Sequence, residues 1–291
     1  MAIPIETAWR EGAISLINID AALAHSVSQQ LLAHALQKDK AYLLTYPECC
    51  PSAQELALYH SYLLRYQQGE PLEYICQHTE FYSLRFTVNE SVLIPRHDTE
   101  LLVDEALLVL HNIENPSVLD LGTGSGAIAI SLATHLSKAT IMATDISEDA
   151  LKLARLNASA HHCQHIQFIQ SHWFSDLAPK RFDCIVSNPP YLCFSEWQES
   201  VALHREPELA FVGGDDGLDA FRVIVEGAPS YLKENGCLLF EHGCLQGDHV
   251  QDILRQSGFF DVFSVNDLSG HTRLTRARYK ARCEATNHMI V

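Results

Sequence analysis

The spacing of apolar positions divides the chain into three textures. Residues 1–71 carry them at helical intervals: "IDAALAHSVSQQLLAHALQ" is one such run and "SAQELALYHSYLLRYQQG" another. Ser52 and Glu55 form a capping box at the start of the second run, and Gly69 with Pro71 ends it. This region reads as a small helical bundle without a catalytic constellation. Residues 72–95, "LEYICQHTEFYSLRFTVNESVLIP", alternate apolar with polar, which predicts a β-hairpin linking two domains. From 96 to 291 the pattern becomes strand, helix, strand, helix. "SVLDLG", "ATIMATD", "IQFIQ", "FDCIVS", "GCLLFEHG" and "FFDVFSV" read as strands, and "AIAISLATHL", "EDALKLARLNASA" and "VQDILRQSG" as helices. Such alternation argues for an α/β domain with a doubly wound, mostly parallel sheet covered by helices on both faces, a Rossmann-like arrangement.

Composition narrows what such a fold serves. With 291 residues, 47% of them apolar, the chain can bury the core of one large domain or two ordinary ones. No apolar run approaches the roughly 18 residues of a membrane span. The opening "MAIPIETAWREG" lacks the basic start and apolar core of a secretion signal, so a cytoplasmic location is expected. The nine cysteines are odd in number and contain no CxxC pair, which predicts buried free thiols such as Cys184, Cys193 and Cys237. The densest histidine group, "HHCQH" at 161–165, falls between a helix and a strand with no second ligand cluster, and reads as a solvated loop with no metal. The formal charge of −16 and the absence of a basic stripe weigh against a direct grip on nucleic acid. They favour a small ligand or a basic protein partner. No dimerisation seam is evident, so a monomer is expected.

Open parallel sheets bind ligands at the carboxyl ends of their strands, near the point where strand order reverses. The first strand here runs into "DLGTGSG", residues 120–126. Gly122, Gly124 and Gly126 let the turn tighten and let a ligand approach the backbone. Their GxGxG spacing differs from the GxGxxG of dinucleotide folds, and glycine-rich turns also serve purely structural ends. The second strand ends at Asp145, whose carboxylate suits both hydroxyls of a ribose, or else caps the helix that begins near Ser147. Turn and carboxylate together favour a nucleoside cofactor. With no Walker lysine and no pyrophosphate fingerprint, S-adenosyl-L-methionine is the best candidate.

The fourth strand ends in "NPPY", residues 188–191. Pro189 restricts Asn188 to extended conformations and Pro190 does the same to Pro189. The Asn188 side-chain oxygen and the Pro189 carbonyl then serve as two fixed acceptors, with Tyr191 as a flat face beside them. Such a site suits a planar amine with two hydrogens to donate. A strand-ending turn is the plain structural alternative.

In order along the chain, "VLIPRHDTELLV" (92–103), "VLDLGTGSGAIAI" (118–130), "FDCIVSNPPYL" (182–192), "REPELAFVGGDDGLD" (205–219) and "LLFEHG" (238–243) resemble the protein-(glutamine-N5) methyltransferases of peptide-chain release factors. The resemblance runs over nearly the whole sequence. NPPY by itself also occurs in adenine-N6 DNA methyltransferases and some RNA guanine-N2 enzymes. The resemblance implies that Gly122, Thr123, Gly124, Ser125 and Gly126 surround the methionine part of the cofactor, with Asp120 near its amino group. It implies that Asp145 takes the ribose hydroxyls, that Trp173 lies at the adenine edge, and that Asn188 contacts both cofactor region and substrate. Asn188, Pro189, Pro190 and Tyr191 would hold the glutamine of a Gly-Gly-Gln loop, and the N-terminal helices would dock the release factor. Two positions depart from the family pattern. His97 replaces a common proline, which loosens the start of the next helix. His172 replaces a common aspartate before Trp173, and accepts a hydrogen bond from the adenine amine only while neutral, so cofactor affinity is expected to weaken as pH falls. The rival readings are a nucleic-acid amine methyltransferase and a catalytically idle module that binds the cofactor or a partner.

Overall fold

A computed structural model of the chain describes residues 3–280. The contacts divide it into two compact units, with the boundary between His78 and Thr79. In the first unit, α1 (Ile5–Leu16), α2 (Ala24–Ala35), α3 (Lys40–Thr45), α4 (Ala53–Gln67) and α5 (Leu72–Cys76) enclose a common apolar cluster. The capping box opens α4 as its sequence requires: Glu55 N donates to Ser52 Oγ at 3.2 Å and Ser52 N to Glu55 Oε2 at 2.7 Å. The helix ends at Gln67, before Gly69 at φ 84°, as expected, and Pro71 then stands at the N-cap of a further short helix, α5, whose Ile75 and Cys76 are buried in the cluster. The hairpin expected over 72–95 is therefore shorter, confined to β1 (His78–Phe81) and β2 (Leu84–Thr87). Five apolar and polar residues can satisfy either period, and burial against the bundle decides for the helix.

The second unit continues with α6 (Glu100–Leu110), β3 (Ser117–Leu121), α7 (Ala127–His135), β4 (Thr140–Asp145), α8 (Glu148–Ala160), β5 (Gln167–Gln170) and β6 (Phe182–Ser187). After them come α9 (Phe194–Glu199), α10 (Asp219–Tyr231), β7 (Leu232–Glu241), α11 (Gly247–Gln256), β8 (Phe260–Asn266) and β9 (Thr272–Arg278). The sheet order is β5-β4-β3-β6-β7-β9-β8, with β9 antiparallel to both of its neighbours. Sequence order reverses between β3 and β6, which places the switch point at their carboxyl ends.

Alternation along the strands sorts the two faces. Val118, Cys184, Val186 and Leu239 point to the side covered by α6 and α7. Leu119, Ile185, Leu238 and Phe240 point to the side of α10 and α11. Burying each such side chain stabilises the fold by roughly 1.5–3 kcal/mol, and it also fixes strand register, because a one-residue slip would turn every one of them over. Of the cysteines expected in the core, Cys184 and Cys237 are buried as register partners on β6 and β7, whereas Cys193 is half-buried at the N-cap of α9. Among the described residues no helix is long and apolar enough to cross a membrane.

Candidate functional site

A cavity of about 210 Å³ opens at the switch point. Gly122, Gly124, Asp145, Ile146, His172 and Trp173 line one part of it, and Asn188 with Pro190 another. The remaining wall comes from Ser91, Val92 and Leu93 and from Pro207, Leu209 and Ala210.

The glycine turn is fixed from three directions. Gly122 N and Thr123 N both donate to the Thr144 carbonyl, at 2.9 and 2.8 Å, tying the turn to the end of β4. Gly124 N donates to Asp145 Oδ2 at 2.9 Å. The buried Asn157 amide on α8 donates to the Ser125 carbonyl at 2.9 Å, accepts from Thr87 N at 2.8 Å and donates to Thr87 O at 3.0 Å. Gly122 and Gly124 have φ of 74° and 54°, the left-handed region that glycine enters without steric cost. A Cβ on Gly124 would meet nothing within 4 Å, so the turn leaves open space where a side chain would project.

Asp145 ends β4 and does not cap α8; Ser147 does, accepting from Ala150 N at 3.1 Å. The Asp145 carboxylate accepts one backbone N–H on each oxygen, from Gly124 and from Ser147 at 2.9 Å. Burial pushes its pKa up, while those hydrogen bonds from Ser147 and Gly124 oppose the rise. A carboxylate of this kind keeps lone pairs for a diol.

Asp120 lies behind the turn and does not line the cavity. It is completely buried, its Oδ2 accepts from Thr123 Oγ1 at 2.6 Å, and Oδ1 has no hydrogen-bond partner among the described residues. Burial, with a smaller push from Asp145, raises it to about 7. Thr123, Ser125 and Gly126 also face away from the cavity, so of the five turn residues only Gly122 and Gly124 reach it.

Trp173 adopts φ 53°, unusual for a bulky residue. Its carbonyl accepts from Ser171 Oγ at 2.9 Å, and its ring stands 3.7 Å from the position a Gly122 Cβ would take. Holding this conformation costs about 1–2 kcal/mol. The arrangement sets a flat wall against the glycine turn. His172 is exposed at the same rim, and His97 begins a 3₁₀ turn, His97–Thr99, that leads into α6.

Asn188 follows β6 directly and is half-buried. Its Nδ2 donates to Thr99 Oγ1 at 3.1 Å, which leaves Oδ1 available on the other side of the amide. Pro189 is buried and Pro190 lines the cavity. The Tyr191 ring packs against the core cluster on the α10 side and is absent from the cavity wall, unlike the flat face expected beside the acceptors. Burial pushes its hydroxyl pKa up, and its carbonyl accepts from Gln246 Nε2 at 2.8 Å. Gly213 and Gly217 hug this backbone: a Cβ on either would come within 2.4 Å of Pro190 O or 2.2 Å of Tyr191 O. The motif is clamped rather than loose.

Three participants escaped the sequence reading: Thr99, Glu206 and Glu241. Glu206 joins the two wall segments, accepting from Ile94 N at 2.9 Å and from Arg96 Nη2 at 2.5 Å. Glu241 lies beside Asn188 in the buried end of β7. Their only trace in the sequence was membership of the "REPE", "PRHDTE" and "FEHG" stretches. Among the described residues no group of three metal-ligating side chains occurs.

Two family models match the chain: the PrmC N-terminal domain over residues 7–76 and the Methyltransferase small domain over residues 98–204. A release factor glutamine methyltransferase from Vibrio cholerae is 42% identical over 257 residues, covering 88% of this chain and 90% of that protein. Another, from Xylella fastidiosa, is 39% identical over 252 residues, covering 86% and 92%. Among solved structures, the Thermus thermophilus 16S rRNA N2 G1207 methyltransferase aligns with a TM-score of 0.51 at 16% identity, covering 70% of this chain and 50% of that one, a likeness of fold.

Proposed function

The chain belongs to the release factor glutamine methyltransferase family, and on that premise we propose that it transfers a methyl group from S-adenosyl-L-methionine to the side-chain amide nitrogen (N5) of the glutamine in the Gly-Gly-Gln motif of peptide-chain release factors. The observation that carries this reading is Asn188, held with its amide Nδ2 turned inward to Thr99 at the rim of a cavity floored by Gly122, Gly124 and Asp145.

The residues fit the cofactor. Asp145 suits the ribose hydroxyls, the Trp173 side suits adenine, and the open space over Gly124 admits the methionine part. Asp120 acts at one remove, through the Thr123 hydroxyl. When bound, S-adenosyl-L-methionine supplies an electrophilic methyl group on a positively charged sulfur, and S-adenosyl-L-homocysteine is the product.

The acceptor is a poor nucleophile, because its lone pair is delocalised in an amide whose rotation barrier is about 18–20 kcal/mol. Asn188 Oδ1 and the Pro189 carbonyl accept its two hydrogens and hold the nitrogen in line. Alignment of this kind is worth up to roughly 7–11 kcal/mol of barrier. Pro190, Pro207, Leu209 and Ala210 give that part of the cavity an apolar wall. The nitrogen loses a proton to solvent after the new N–C bond forms, so no strong general base is required in the motif. Tyr191 fixes the motif from the core side, through its ring and through the Gln246 contact.

We assign release-factor docking to the N-terminal helical unit and expect the enzyme to act as a cytoplasmic monomer without direct contact to nucleic acid. The test uses labelled S-adenosyl-L-methionine with a purified release factor, the same factor with its Gly-Gly-Gln glutamine changed to alanine, and duplex DNA. Label on the first acceptor alone is expected. Asn188→Ala should abolish transfer while retaining cofactor binding by calorimetry. Label on DNA would overturn the reading in favour of a nucleic-acid amine methyltransferase.

A further inference from the structure

The mechanism above leaves Glu241 without a task. Strand register sets Phe240 beside Ser187, so the next residues, Glu241 and Asn188, are neighbours at the carboxyl ends of adjacent strands. Glu241 is 3% exposed, and its Oε2 has no hydrogen-bond partner among the described residues. Thr99, also buried, accepts from Asn188 Nδ2 at 3.1 Å, and both side chains adjoin the Glu241 carboxylate and favour its ionised form. Three elements thus bring three polar side chains to one buried spot behind the cavity.

The direction of this small network follows from proton counting. A threonine hydroxyl has one hydrogen. Since Thr99 Oγ1 accepts from Asn188, its own hydrogen points elsewhere, and the Glu241 carboxylate takes it. An ionised carboxylate only accepts, so the whole network can run one way: donors from Asn188 and Thr99, acceptor at Glu241. Turning the Asn188 amide over would set Oδ1 against two acceptors. It would also present NH₂ to a substrate nitrogen that needs an acceptor. Burying a carboxylate with one oxygen unpartnered is costly, and an apolar residue would serve a purely structural end better.

We propose that Glu241 is a positioning residue for methyl transfer: through Thr99 and directly on Nδ2, it dictates the orientation of the Asn188 amide, so that Oδ1 faces the glutamine nitrogen. The inference rests on the reading of Asn188 as the substrate-holding residue.

The surroundings make the device sensitive to pH. Asp98, in the 3₁₀ turn before α6, repels the Glu241 charge; Arg273 on β9 attracts it. Arg273 is itself shared with Asp98 and Asp267, at 3.5 and 3.4 Å. Tyr191 faces the same carboxylate, and the adjacent His242 is buried, bonded to Thr275 Oγ1 and Gly243 O, with burial lowering its pKa so that it stays neutral. Burial first and Asp98 second push Glu241 up to about 7, against the hydrogen bond from Thr99. Protonated Glu241 is a donor as well as an acceptor, the network then runs in either direction, and Asn188 loses its fixed sense.

The experiment measures kcat and KM for release factor from about pH 5.5 to about pH 9, with cofactor Kd by calorimetry, for the full chain and three variants. Wild type is expected to lose kcat as pH falls through about 7. Glu241→Gln is isosteric with the protonated acid, donor as well as acceptor at every pH, and should hold kcat near the wild-type acid value throughout, so that the acid limb disappears. Glu241→Leu and Thr99→Val should lose about tenfold or more in kcat at every pH, with cofactor Kd within about twofold of wild type. The inference fails if the acid limb persists unchanged in Glu241→Gln. It also fails if Glu241→Leu keeps wild-type kcat and merely melts at a lower temperature. A wild-type enzyme that binds cofactor but methylates no release factor overturns the functional reading instead, and this inference with it.

Discussion

Two glycines of one motif do different work. Gly126 turns the chain into α7 at φ 84°, and a Cβ there would sit 2.9 Å from Ile130 Cδ1 and 3.2 Å from Ala154 Cβ. Gly124 sits at φ 54° with nothing within 4 Å of the same position. Gly126→Ala therefore meets both left-handed strain, about 1–2 kcal/mol, and overpacking, about 1–3 kcal/mol. At that cost Tm should fall by several degrees, roughly 2–4 °C per kcal/mol for a domain of this size. Gly124→Ala meets the strain alone, but its methyl group projects into the cavity, so its main effect should be a weaker Kd for S-adenosyl-L-methionine. Thermal unfolding and calorimetry on both variants check this. The reverse ranking, with Gly124→Ala less stable and Gly126→Ala weaker in binding, would be incompatible with the geometry. The sequence exposed the GxGxG spacing and hence the turn. It could not separate the glycine that faces a ligand from the one that faces a helix, because that depends on Ala154, a residue brought in by α8. Asp120 and Tyr191 carry the same lesson: both belong to the right motifs, yet both point into the core rather than the cavity.

At the scale of elements, the segment from 193 to 212 leaves the sheet and returns to where it began. Leu192 N donates to Phe211 O at 2.8 Å and Gly213 N to Leu192 O at 2.9 Å, which closes the excursion at its base. Glu206 buckles its middle to the 94–96 strand-like stretch, and the residues just beyond, Pro207, Leu209 and Ala210, form cavity wall. The Glu206 side chain is 4% exposed, so its two partners are not readily replaced by water, although Arg96 is far more open at 40%. Glu206→Ala should weaken cofactor Kd by about 1–3 kcal/mol, roughly 5- to 150-fold, through loss of the wall. Glu206→Gln, which keeps an acceptor for Ile94 N, should lose less. A Kd for Glu206→Ala equal to wild type would mean that this segment is not part of the cofactor wall. Nothing periodic in the sequence signals such a contact, because Glu206 and Ile94 are 112 positions apart. Strand β9 was missed for a related reason. "TRLTRAR" is rich in charge and poor in apolar residues, yet the Arg276 guanidinium lies 4.3 Å from the Phe263 ring centroid on β8 and donates to Glu105 on α6 at 2.8 Å, so a charged residue is held at the sheet by partners distant in sequence. The other six strands of the sheet, β3 to β8, were legible: β3, β4, β6 and β7 as apolar runs that are largely buried, and β5 and β8, which are only partly covered, from their apolar and aromatic residues.

Across the whole molecule, the ionisable groups gathered at the site set how stability depends on pH. Asp120 and Glu241 are both raised to about 7, chiefly by burial, and Asp145 is raised for the same reason. A carboxyl whose folded pKa lies above its unfolded value binds more protons in the folded state across the interval between the two. Stability from that group is then fully present below its unfolded pKa, near 4, and is lost as pH rises through about 7. His242 acts in the opposite sense, because burial depresses its pKa; its contribution is lost on acidification below about 6.5 and is constant above it. Asp183, lowered by its hydrogen bonds to Lys233 and Ser117 despite burial, loses its contribution only at still lower pH. Between about pH 6.5 and pH 8 the raised carboxyls are therefore the groups that decide, and stability should fall by a further 1–2 kcal/mol, roughly, as they finish ionising in place, most of their contribution having been lost between about pH 4 and pH 6.5. The check is a series of urea midpoints for wild type, Asp120→Asn and Glu241→Gln at both ends of that interval. Wild type should unfold at lower urea at the alkaline end, and each variant should show a shallower drop. A wild-type midpoint that rises with pH, or variants with the same slope as wild type, would show that these carboxyls ionise freely in the folded protein. A fold optimised for stability alone would not keep two such groups under the proposed cofactor and substrate sites, so the predicted slope measures what the site costs the rest of the molecule.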